Sequence, residues 1–185
     1  VEANQTGNSS RPGMLLDYGV QWITQQSMGY GGNEDQSKSY FGEKNRSFVF
    51  GMRAGVSQPK RWKLGVNYTR ITAHGRYLMP REWGRDPFYT FMARERNEGL
   101  GGVNALTLEY SLGKKFKKRL FFINSVVLNL GYGNYHLPDV KNVALNKYGM
   151  PSYQQLNTRL SISLQTSKSH DLQLQFWYIQ KFNEG

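Results

Sequence analysis

Apolar and polar residues alternate along most of this chain, and the alternation has period two. In "RWKLGVNYTRIT", Trp62, Leu64, Val66 and Tyr68 fall on one face, with Lys63, Gly65, Asn67 and Thr69 on the other. "NALTLEYSL" sets Leu106, Leu108, Tyr110 and Leu112 against Thr107, Glu109 and Ser111. "LNTRLSISLQT" sets Leu156, Leu160, Ile162 and Leu164 against Asn157, Arg159, Ser161 and Ser163. The same pattern runs through "LLDYGVQWITQ", "RSFVFGMRAGV", "FFINSVVLNLGYGN" and "LQLQFWYIQK". Successive side chains of a strand point to opposite faces, so each run predicts a half-exposed antiparallel strand. About seven strands of about 9–13 residues result, and about 9–11 residues cross a bilayer at a tilt.

The connections carry a second pattern. A long polar segment near 27–45 is followed by a tight turn at "SQPK" and a long stretch at 81–102. A tight basic turn at "GKKFKKR" comes next, then the long "HLPDVKNVALNKYGMPSY" and a tight turn at "SKSH". Long and short alternate throughout. Outer-membrane barrels keep this order, with short turns on one side and long loops on the other. Sandwiches mix hairpins with crossovers and have no reason to keep it. The expected fold is therefore all-β: a transmembrane antiparallel up-and-down β-barrel, as a single domain over residues 1–185. Tyr18, Trp22, Tyr68, Tyr110, Tyr132 and Tyr178 fall toward the ends of the predicted strands, as interfacial aromatic girdles do. The alternative is a soluble basic β-sandwich that binds polyanions or glycans, in which those aromatics form the core.

Composition sharpens this picture. Hydrophobic residues are 38% of the chain, with a mean hydropathy of −0.63, so a large dry core is not advertised. No apolar run reaches the ~18 residues of a membrane helix, a test to which barrel strands are blind. The net charge of +11 calls for an anionic partner, whether nucleic acid, membrane surface or solute. Cysteine is absent, which excludes disulfides and thiolate metal sites. The opening "VEANQTGNSSRPGM" lacks a signal-peptide pattern, as a mature chain or a fragment would.

Two blocks carry a family resemblance. "REWGRDPFYTFMARERNEGLGGVNALTLEYS" and "KYGMPSYQQLNTRLSISLQ" resemble the last third of the OprD family of outer-membrane porins. The likeness covers about Arg61 to Gly185 well, and the first sixty residues mainly by strand pattern. It implies a barrel of about 18 strands, of which this chain supplies about seven, with 171–182 as the penultimate strand. A fragment lacking N-terminal strands and the last strand is the resulting expectation. The family's activity implies passive, selective diffusion of small, carboxylate-bearing solutes across the bacterial outer membrane, with no enzymatic step and no cofactor. Its partners would be outer-membrane lipid and small anionic or zwitterionic solutes, with no nucleic acid; monomer and trimer both stay open.

The stretch 81–102 has neither strand nor helix period, and a long irregular loop inside a domain is usually functional or disordered. The resemblance implies that it folds into the lumen. Arg81, Arg85, Arg94 and Arg96 would then line a constriction, because guanidinium stays charged and presents a planar fork to carboxylates. Trp83, Phe88, Tyr89 and Phe91 would anchor the loop against the wall. On the polar faces of the strands stand Arg53, Lys63, Arg159 and Lys181, candidate rungs of a basic ladder such as the family uses. Ordinary lumen charge is the plainer reading of all but Arg159. His74, His136 and His170 lie far apart without metal-ligand spacing, and no nucleophile motif or phosphate loop occurs. The basic "GKKFKKR" reads as a solvated or membrane-edge turn rather than a nucleic-acid patch.

Overall fold

Alternation becomes a ladder. The computed structural model describes residues 13–26, 45–78, 88–93, 99–120, 122–165 and 171–183, the last residues of one strand, 117–120, and residue 171 by backbone alone. They form seven strands: β1 (Leu15–Gln26), β2 (Arg46–Gln58), β3 (Trp62–Ile71), β4 (Val103–Leu120), β5 (Ile123–His136), β6 (Tyr153–Gln165) and β7 (Asp171–Asn183). Each pairs antiparallel with its sequence neighbours in one sheet of order β1-β2-β3-β4-β5-β6-β7. The meander expected from the short and long connections is thus observed, with no crossover and no helix among the described residues.

One expectation fails. The basic segment "GKKFKKR" is no turn: β4 runs on through it to Leu120, with Gly113, Lys114 and Lys115 opposite Val127, Val126 and Ser125. The reversal falls instead near Phe122, at φ 70°. The β-branched run of β5 offers the backbone a ladder partner, while lysine side chains standing off a strand reach water without opposing it. The pairing slips between Lys115 and Leu120, as at a bulge. The longer strand also moves Tyr110 from a strand end to near the middle of β4, and Tyr178 is similarly central in β7. Trp22, Tyr68 and Tyr132 do stand toward the long-loop ends, and Tyr18 toward a turn end.

The sheet buries its polar face and leaves much of its apolar face exposed. On β3 the polar-face residues Gly65, Asn67 and Thr69 are buried, while Leu64 is 46% and Val66 40% exposed. Leu16, Trp22, Leu106, Leu108, Leu174 and Phe176 are likewise exposed on the same apolar face. The true core is small and lies at the long-loop end, where Val49, Ile71, Tyr77, Leu100, Val103 and Tyr135 pack together.

The loops close that end by pairing with one another. Leu100 bridges antiparallel to both Tyr77 and Asn146, tying the two ends of the β3–β4 connection to the β5–β6 connection. Asn146 is buried; its Nδ2 donates to the Pro138 and Met150 carbonyls at 3.0 and 2.8 Å, and its Oδ1 accepts from Met150 N–H at 3.0 Å. Every polar atom of that amide is used, which is how a long irregular loop meets its buried backbone groups. Burial pulls the nearby Arg76 guanidinium below the ordinary arginine value, with Tyr148 acting in the opposite direction.

Candidate functional site

The register gathers the wall cations into two rows across the polar face. Gly19, Arg53, Asn67, Thr107, Gly133, Gln155 and Lys181 are successive ladder partners from β1 to β7. Nearer the tight turns, Ser57, Lys63, Ser111, Asn129, Arg159 and Trp177 form a second such row. Between them runs Asp17, Gly55, Gly65, Glu109, Gly131, Asn157 and Ile179. Three glycines leave this middle row shallow, so the face is a trough with cations on both banks and two carboxylates in its bed.

A loop segment crosses one bank. Phe88, Thr90 and Met92, from the stretch without period, are buried against the sheet. Thr90 Oγ1 donates to Thr69 Oγ1 at 2.9 Å, Tyr135 OH donates to the Thr90 carbonyl at 2.8 Å, and Gln155 Nε2 donates to the Ala93 carbonyl at 2.8 Å. The Tyr89 hydroxyl comes within 2.9 Å of where a Cβ on Gly19 would stand, and the Met92 sulfur within 2.7 Å of one on Gly133. Only glycine lets a loop lie this close to a strand at those two points. The segment therefore spans the polar face from β1 to β6, touching β1 through Tyr89 and hydrogen-bonded to β3, β5 and β6. Over 88–93 the loop lies against the polar face of the sheet, while its four arginines, Arg81, Arg85, Arg94 and Arg96, lie outside the described residues.

The four wall cations differ in how far their charge is satisfied. Arg53 is held by Asp17: Nη2 donates to Oδ2 at 3.3 Å, and Nε stands 3.2 Å from Oδ1 as an ion-pair contact lacking hydrogen-bond alignment. Its guanidinium also lies 5.1 Å from the Tyr89 ring centre, so it braces the crossing segment. Arg159 lies 5.0 Å over Trp177, and its Nε is buried without a hydrogen-bond partner among the described residues. Lys181 stands 4.4 Å over the Tyr153 ring. Lys63 is exposed on the lower bank of the trough. A cavity of about 420 Å³ between the crossing segment and the lower bank is lined by Lys63, Glu109, Asn157, Arg159, Trp177 and Met92. A smaller one of about 110 Å³ lies on the other side of Tyr89, between Asp17, Arg53, Lys63 and Glu109.

Lys63 and Glu109 line both cavities, and sequence reasoning missed Glu109 and Trp177 as members of the site. Their polar-face parity was legible, but their nearness to Lys63 and Arg159 needed the register. Of the histidines, His74 meets Phe48 edge-on, His136 pairs with Asn104 in the ladder, and His170 lies outside the described residues. Comparison with family models, with curated proteins and with solved structures finds no match to this chain.

Proposed function

We propose that these strands form part of the wall of a bacterial outer-membrane porin of the OprD type. Small carboxylate-bearing solutes would cross it by passive diffusion, with no bond made or broken. The observation that carries the reading is the inverted burial. Apolar residues at even-numbered positions are exposed on every strand except β6, where Leu156, Leu160, Ile162 and Leu164 are half-buried, and the polar face is the one that receives the loop. Water would penalise so large a bare apolar face, whereas lipid would solvate it. In this reading the strands belong to a larger barrel of about 18, since the outer edges of β1 and β7 have no ladder partner among the described residues.

Within such a wall the trough would be the solute's path. Lys63 and Arg159 would meet the carboxylate, and Trp177 would give apolar parts of the solute a flat surface. Arg53, neutralised by Asp17, would shape the path rather than attract. The opposing reading is the soluble polyanion- or glycan-binding sandwich, which would bury the Leu64–Val66 face under a second sheet. That face is exposed here. The deciding experiment is refolding. Cooperative unfolding and native β-structure only in detergent or lipid fit the porin; a monomeric, cooperatively folded chain in plain buffer would end the reading.

A further inference from the structure

At the tight-turn end of the sheet, five cationic residues border one cavity, Lys63 and Lys115 from the polar face and Lys114 from the strand face opposite, where its ammonium lies over Phe116. The β2–β3 turn is folded against β4: Arg61 N–H donates to Gln58 O at 3.0 Å, and Gly113 N–H donates to Arg61 O at 2.6 Å. Lys60 takes the left-handed conformation, φ 64°, that reverses the chain there. Because β4 continues as a strand, Lys115 stands opposite Ser125 instead of dispersing into a turn. Lys60, Arg61, Lys63, Lys114 and Lys115 thus line a cavity of about 430 Å³, and no carboxylate lines it. Ser57, Ser111 and Ser125 add hydroxyls to the same wall.

We propose that this cavity binds a phosphate group, carried by inorganic phosphate, by a small phosphorylated solute or by a lipid. A cavity of that volume is about 9 Å across if round, comparable with the ~8 Å screening length of physiological salt. Salt therefore relieves the mutual repulsion of Lys60, Arg61, Lys63 and Lys115 only in part. A monocarboxylate brings one charge and two oxygens. Inorganic phosphate or a phosphate monoester brings nearly two charges and three acceptor oxygens, enough to engage several ammonium groups and a serine hydroxyl together, whereas a lipid phosphodiester brings one charge and two free oxygens and should bind less tightly. The trough is a different environment, because Asp17 and Glu109 stand in it. The proposal does not depend on the chain spanning a membrane.

The test is titration calorimetry of the whole 185-residue chain, in non-ionic detergent or in plain buffer, whichever holds it folded, with inorganic pyrophosphate as probe and acetate as control. Pyrophosphate should bind at least tenfold more tightly than acetate and weaken as salt rises. Lys60→Gln with Arg61→Gln should cost tenfold or more, Lys115→Gln alone severalfold, and Lys141→Gln in the long loop nothing. Circular dichroism checks that each variant keeps its strands. A second arm dopes the micelles with phosphatidylglycerol or phosphatidylcholine. Competition with pyrophosphate by the former alone, lost in the Lys60/Arg61 variant, would make a lipid the source of the phosphate. Equal binding of acetate and pyrophosphate, or binding that survives both cationic variants, would overturn the proposal.

Discussion

Arg53 and Arg159 carry the same charge on the same face, yet they meet different partners. The first is tied to Asp17 and Tyr89; the second rests on Trp177 with an unmatched Nε. In a closed barrel, Arg159→Ala should lower the flux of carboxylate solutes severalfold and spare neutral ones of similar size. A charge about 4 Å from a solute carboxylate is worth only ~1 kcal/mol where water fills the space around the pair. Arg53→Ala should instead loosen the crossing segment and change both fluxes together. Liposome swelling with paired anionic and neutral solutes reads the difference, and equal losses in Arg159→Ala would make that arginine a brace too. The glycines under the segment offer a second residue-scale test. A Cβ on Gly133 would stand 2.5 Å from Tyr135 Cε2 and 2.7 Å from the Met92 sulfur. Gly133→Ala should therefore cost ~1–3 kcal/mol through overpacking, seen as a lower urea midpoint in the refolded chain. Gly65→Ala, where the nearest atoms are 3.9 Å away, should cost far less.

At the level of the strand, one substitution separates lipid from water as the neighbour of the apolar face. Leu108→Arg on β4 should cost ~2–4 kcal/mol if that side chain faces the bilayer midplane. It should change stability by less than about 0.5 kcal/mol if the face is bathed in water. Equilibrium unfolding from lipid vesicles, with Thr107→Arg on the other face as comparison, distinguishes the two. The strands were legible because a period of two survives any choice of neighbours: Trp62 to Ile71 is strand in sequence and in structure alike. The end of β4 was not legible. Lysine at both parities erases the alternation from Lys114 onward, and only the ladder with Val126 and Val127 shows that the strand continues. The crossing segment was hidden for another reason. Thr90 and Met92 find their partners on β3 and β5, and no local period encodes a contact made across the sheet. The small residues that receive it, Gly19, Gly51, Gly131 and Gly133, were visible all along as gaps in the polar face.

For the whole molecule, strand parity limits how the sheet can close. With seven strands in meander order, β1 and β7 run in the same direction. Joining them directly would make a parallel seam, which a fully antiparallel barrel does not contain. An added odd number of strands would let both edges pair antiparallel. The 185-residue chain reconstituted alone into planar bilayers should accordingly give no steady, uniform conductance. A reproducible single-channel current from it would mean that the sheet closes on itself or on a second copy, and the partial-wall reading would fall.

Every strand touches only the strands beside it in sequence, while one loop reaches across nearly all of them. In the proposed porin, girth and filter would therefore be written in separate parts of the chain. Inserting or deleting a hairpin in such a wall would widen or narrow the bore by a fixed step and leave the remaining pairings intact. Altering the reach of the crossing segment would retune what passes without touching the bore. A lineage carrying such a wall could try new cargoes loop by loop on a shell that never has to refold around them.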